Sequence, residues 1–171
     1  MNSFFSTKPV LKFGILSGLL LVLNEVIINT VTQTNPYIGE RDSIFSLIGL
    51  IIPVVVIVFA IIFLKNNSTI ESFGQIIKPG LIIGFITALV YIAYSLLFIY
   101  SIEPTTLAEF EQMNRERLIA SGQFENSEDL TNAVQLSKNA FLPGTILFSI
   151  AINLFIGFIT AVVTAIFVRN K

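Results

Sequence analysis

An Asn-Glu pair at positions 24 and 25 interrupts the aliphatic run GLLLVLNEVIINT, residues 18–30. A carboxyl group in such surroundings can carry a proton, accept hydrogen bonds from neighbouring helices or hold a cation, and ionisable residues inside membranes often serve one of these ends. Asn29, Tyr91 and Asn153 are the other polar residues that could share a site with Glu25. The apolar stretches contain no paired carboxylates, no nucleophile beside a base and no metal-ligand cluster. With no Cys and no His in the chain, the common zinc sites, Ser-His-Asp triads and cysteine nucleophiles are excluded. No catalytic residue, metal or cofactor is expected, and the chain reads as a non-enzyme.

Four helices must position these residues. Hydrophobic residues make up 54% of the chain and charged ones 12%, with a mean hydropathy of +0.83, far outside the range of soluble domains. Residues 13–31, 44–64, 80–100 and 146–168 are apolar runs long enough to cross a hydrocarbon core of about 30 Å. Glu25 is the only charge within them. The expected fold is an all-α integral membrane protein, a single membrane domain over 1–171 built as a four-helix bundle. The first run is too long for a secretory h-region and lacks a small-x-small cleavage site, so it reads as a retained span.

Lysine and arginine orient the bundle. Lys8 and Lys12 precede the first span, Lys65 and Lys78 lie between the second and third, and Arg169 and Lys171 follow the fourth; Arg41, Arg115, Arg117 and Lys138 fall on the other side. The six, packed close to span ends, predict both termini in the cytoplasm.

Each span sorts its residues at about 100° per position. Gly14, Ser17, Gly18, Leu21, Asn24, Glu25, Ile28 and Asn29 share one face of the first span, opposite Ile15, Leu16, Leu19, Leu23, Val26 and Ile27. The second gathers Ser46, Gly49, Pro53 and Ala60. Gly80, Gly84, Thr87, Ala88, Tyr91, Tyr94 and Ser95 gather on the third, opposite Leu81, Ile82, Phe85, Ile86, Leu89 and Leu96. The fourth gathers Ser149, Asn153, Gly157, Thr160, Ala161 and Thr164. Small residues let backbones approach in lipid and polar ones bond between helices, so these faces should form the interior, with Gly14, Gly18, Gly80, Gly84 and Gly157 as packing positions. A pattern K-x-G-x-x-x-G recurs at Lys12 and Lys78, a shift of 66 residues that carries Glu25 onto Tyr91 and suits a parallel two-plus-two repeat. The expected partner of Glu25 is Tyr91, which the repeat places at the equivalent level, or Asn153, which lies on the polar face of the fourth span at a comparable depth. Tyr37 and Tyr100 read as aromatic belt residues.

Residues 101–142 form a short helical external loop. A helix from Pro104 carries acidic residues early and Arg115 and Arg117 late, and a second, from Ser127, should stop at Pro143, with the two joined around Gly122. Residues 70–78 read as a short interfacial stretch anchored by Ile70, Phe73, Ile76 and Ile77.

The glycines of the first span, SFGQ at 72–75 followed by Lys78 and Gly80, the Glu103-Pro104 pair, and the SEDL element at 127–130 before a fourth span opened by Pro143 resemble the small bacterial membrane family catalogued as domain of unknown function 4199. The resemblance spans nearly the whole chain and implies four spans in a bacterial inner (cytoplasmic) membrane. It implies no reaction, substrate, cofactor or functional residue.

Two functions fit these readings. The first is a membrane scaffold or accessory subunit, whose partner is another membrane protein or a second copy of the chain within the lipid bilayer. The second is a small solute or ion carrier using Glu25, Asn29, Tyr91 and Asn153. No nucleic-acid partner is expected.

Overall fold

The computed structural model describes residues 7–33, 35–38, 43–67, 72–124 and 126–169. Five helices occupy them: α1 (Thr7–Thr32), α2 (Ser43–Asn67), α3 (Phe73–Leu97), α4 (Thr106–Ala120) and α5 (Ser127–Arg169). Four are long and apolar enough to cross a membrane, namely α1, α2, α3 with its continuation to Ile102, and α5. The chain is an all-α membrane bundle, with α4 at the end of the bundle where α3 finishes and α5 starts.

Residue type decides which side of each helix is inside. In α1 the buried positions are Val10, Gly14, Ser17, Gly18, Leu21, Asn24, Glu25 and Ile28, a three-and-four spacing that makes a single stripe. Leu16, Leu19, Leu23 and Val26 are exposed on the opposite side, as hydrocarbon-facing residues of a span should be. Beyond Thr32, Gln33 takes a left-handed backbone (φ 52°), which turns the chain out of the helix.

The α3–α5 crossing is made of glycine. A Cβ added at Gly80 would lie 2.5 Å from the Ala161 Cβ and 2.7 Å from the Gly157 carbonyl oxygen, one at Gly84 would collide with the Asn153 carbonyl oxygen, and one at Gly157 would lie 2.6 Å from the Gly80 carbonyl oxygen. Only residues without a side chain allow such an approach. Gly14 and Gly18 do different work. They receive Ile86 and Val90, with would-be Cβ distances of 2.6 and 2.5 Å, and the Thr87 hydroxyl donates to the Gly14 carbonyl at 3.3 Å. Ile86, expected toward lipid, is thus a knob in an α1 socket. The K-x-G-x-x-x-G elements at Lys12 and Lys78 therefore meet different kinds of partner: aliphatic side chains in one case, backbone in the other.

At the end of the bundle away from α4, Val10, Ile57, Ala60, Ile61, Leu64, Ile76, Ile83, Ala161 and Ala165 close an apolar core, with Phe13 packed against it. The Lys65 ammonium donates to the Val168 carbonyl oxygen near the end of α5, tying α2 to the chain end.

Two expectations are corrected. The stretch 73–78 is not an interfacial element but the first turns of α3, with Ile76 buried in the core, because Ile76 continues at helical spacing into the buried face of the span through Pro79, Gly80, Ile83 and Gly84; Ile70 lies outside the described residues. Pro143 does not stop a helix: α5 runs 43 residues through it. The carbonyl that loses its partner belongs to Asn139, which is exposed and open to water, while Phe110 on Phe141 (centroids 4.4 Å apart) and Lys138 on Glu111 (2.6 Å) hold the segment against α4. At about 1.5 Å per residue α5 is roughly 64 Å long, twice the hydrocarbon thickness, so much of its first half projects beyond the hydrocarbon as an arm with α4. Beyond Leu97, α3 continues into a π-helical turn, Phe98–Ile102, closed by the Glu103 N–H donating to the Phe98 carbonyl at 2.8 Å.

Candidate functional site

Glu25 is 2% exposed, and the Tyr91 hydroxyl donates to its Oε1 at 3.1 Å. Both face a cleft of about 710 Å³ in the half of the bundle nearer α4. The cleft exists because α2 follows one neighbour and leaves another. The Asn24 side-chain amide donates to the Phe45 carbonyl at 3.4 Å, and Gly49 brings the α2 backbone close to the same amide, so the first half of α2 stays on α1. Its buried residues begin only at Pro53 and continue through Val56, Ile57, Ala60, Ile61 and Leu64. From Pro53 back to Ser43, α2 diverges from α5, and the gap between them is the cleft. Ser46, Gly49 and Leu50 form one side, Thr145, Phe148, Ser149 and Asn153 of α5 the other, and Glu25 and Tyr91 lie at the back.

The chain between α1 and α2 roofs the cleft. The Tyr37 hydroxyl donates to the Ser95 Oγ at 2.9 Å, and Ser95 in turn donates to the Tyr91 carbonyl. The Tyr37 ring lies on Phe98 of the π-helical turn at 5.3 Å between centroids. The Asn35 carboxamide donates to the Thr106 hydroxyl at 2.8 Å and accepts from the Tyr37 N–H at 3.0 Å, which pins the roof to the start of α4. Burial, reinforced by neighbouring Tyr91, pushes the Tyr37 phenol far above its ordinary pKa, so it is a hydrogen-bond donor at every physiological pH.

A family described as protein of unknown function (DUF4199) matches residues 12–170, all but the first eleven residues and the last. The chain belongs to that family. No curated protein matches it, and no solved structure does. In this DUF4199 chain, three of the four polar residues singled out by sequence share the cleft: Glu25, Tyr91 and Asn153. Asn153 is 6% exposed, and its side-chain amide donates back to the Ser149 carbonyl at 2.9 Å. Asn29 is half-buried, one turn beyond Glu25, and is not among the residues lining the cleft. Sequence reasoning passed over Tyr37 as a belt residue. Its position five residues past a helix end, beside Pro36, is the available sign of a constrained turn rather than an interfacial anchor.

The arrangement offers acceptors and rings rather than reactive groups. Glu25 supplies carboxylate oxygens and Ser149 a hydroxyl, while Tyr91, Tyr37 and Phe148 supply aromatic surface. Such walls suit hydrogen-bond donors and positive charge.

Proposed function

We propose that this DUF4199 protein is a multi-pass protein of a bacterial inner membrane, with both termini cytoplasmic, that binds a small ligand in the α2–α5 cleft and carries or senses it. The ligand reading rests on one observation: a carboxylate 2% exposed in the wall of a cleft of about 710 Å³. Protein interiors are close-packed, and a void of this size with convergent polar groups is the usual form of a binding site. No enzymatic step is part of the proposal. Lys8, Lys12, Lys65, Lys78 and Arg169 at the end away from α4 support the orientation; Arg41 and Lys171 lie outside the described residues.

The test is ligand-induced stabilisation of the purified protein in detergent. Small soluble amines and monovalent cations should raise the unfolding temperature of the wild type and not of Glu25→Gln, whose unliganded stability should be near normal. A ligand shift that survives unchanged in Glu25→Gln would overturn the assignment. For orientation, a periplasm-active reporter fused at Lys171 should stay silent.

A second reading, a scaffold or accessory subunit, is favoured by the α4–α5 arm, which extends past the bundle and exposes Ile119 and Leu136. Affinity capture from native membranes should then recover the same membrane protein, or a second copy of the chain, and lose it when the arm is removed.

A further inference from the structure

The cleft opens sideways. Leu50 on α2 and Phe148 on α5 stand on either side of its mouth and are 52% and 69% exposed, at a level where both helices are inside the apolar spans. Spans placed on these apolar runs set that mouth against hydrocarbon rather than water. Its depth is polar: Glu25, Tyr91 and Asn153 lie behind the aliphatic and aromatic rim. A cleft graded in this way would cost energy whether filled by water at the mouth or by hydrocarbon at the back, because each would place the wrong solvent against one part of the wall. A molecule that is itself graded satisfies both ends.

We propose that the occupant is a membrane lipid with an ammonium-bearing head, entering between α2 and α5 from the leaflet nearer α4. The head reaches the Glu25–Tyr91 pair, where carboxylate oxygen and tyrosine rings favour a cationic donor and disfavour an anionic head. One hydrocarbon chain lies in the mouth between Leu50 and Phe148. The α2–α1 attachment through Asn24 and Gly49 keeps the mouth open without ligand, since it fixes the first half of α2 away from α5. This inference rests on the ligand-binding reading of the same cleft and adds the ligand class and the route of entry.

Photoreactive phosphatidylethanolamine and phosphatidylglycerol carrying the cross-linker high on one chain, each in nanodiscs with the full-length protein, provide the test. The ethanolamine lipid should label the segments 46–53 and 145–153 at least fivefold above the lipid-facing stretches around Leu19 and Phe85, and above the glycerol lipid at the same segments. Glu25→Gln should remove most of that excess. Leu50→Trp, at an exposed position where folding should tolerate a larger ring, should block the mouth and reduce labelling while the unfolding temperature stays unchanged. Even labelling over all lipid-facing surfaces, or equal cleft labelling by both lipids, overturns the proposal. If labelling is even while soluble amines still stabilise the protein through Glu25, lateral lipid entry fails and the cleft remains a ligand site. Loss of both effects removes the site reading as well.

Discussion

In the half of the bundle away from α4, helices meet through glycine and aliphatic side chains; in the half nearer α4, they are held apart and joined by side-chain hydrogen bonds. Gly80, Gly84 and Gly157 bring the α3 and α5 backbones into contact, and Ile57, Ala60 and Ile61 fill what remains. Across the midplane the same α2 leaves α5, and Glu25, Tyr91, Tyr37 and Ser95 link α1, the roof and α3 around a space. Close packing in lipid has little hydrophobic drive behind it and depends on shape, so it tolerates no added volume. A hydrogen-bonded frame tolerates volume but not the loss of a partner. One bundle thus combines a rigid base with an open upper part.

Added volume at the base should have the largest effect. Gly84→Leu places a side chain where the Asn153 backbone already lies, and should lower stability by about 3 kcal/mol or prevent folding, read as thermal unfolding in detergent. Leu19→Ile on the exposed face of α1 should change almost nothing. Comparable losses at the two positions would dissolve the distinction between base and surface.

A smaller loss is expected in the open half. Glu25→Leu removes the acceptor of the Tyr91 hydroxyl and should cost about 1–3 kcal/mol, whereas Glu25→Gln preserves an acceptor and should cost less than half of that. If Glu25→Leu stabilised the protein, the upper frame would be packing-driven like the base.

The smallest effect belongs to the arm. The Lys138 hydrogen bond and charge hold the half-buried Glu111 carboxyl below its ordinary pKa. As pH falls, the unfolded arm takes up its proton first, so the contact supports the arm above the ordinary carboxylate range and is lost as pH drops through the lowered value. Amide-exchange protection in 106–141, taken relative to the intrinsic rate at each pH, should fall modestly as pH drops below the ordinary carboxylate range, and Glu111→Gln should abolish that step while leaving the spans untouched.

Much of this was legible in the sequence because a single helix displays its own faces. The stripe of Ser17, Gly18, Leu21, Asn24 and Glu25 could be drawn from periodicity alone, as could the burial of Thr87, Asn153 and Thr160. Tyr91 emerged from the 66-residue shift. What one helix cannot display is its choice of neighbour. Gly14 and Gly18 take Ile86 and Val90 rather than another glycine, and nothing in the pattern of α2 says that its first half follows α1 and abandons α5. Pro143 misled for a related reason: whether a proline ends a helix depends on what supports the turn before it, and here that support is α4, far away in sequence.

The unbroken α5 makes the arm and one wall of the cleft a single rod, pivoted where Gly157 bears on Gly80 and Gly84. Ser127 lies about 45 Å from that fulcrum, Thr145 about 18 Å and Asn153 about 6 Å, at about 1.5 Å per residue. Tilting the rod by about 5° would sweep its tip through roughly 4 Å, move the cleft rim at Thr145 by about 1.5 Å and shift Asn153 by only about 0.5 Å. The lever ratio runs both ways: a modest change in the width of the mouth is magnified about two-and-a-half-fold at the far end of the arm, beyond the apolar spans.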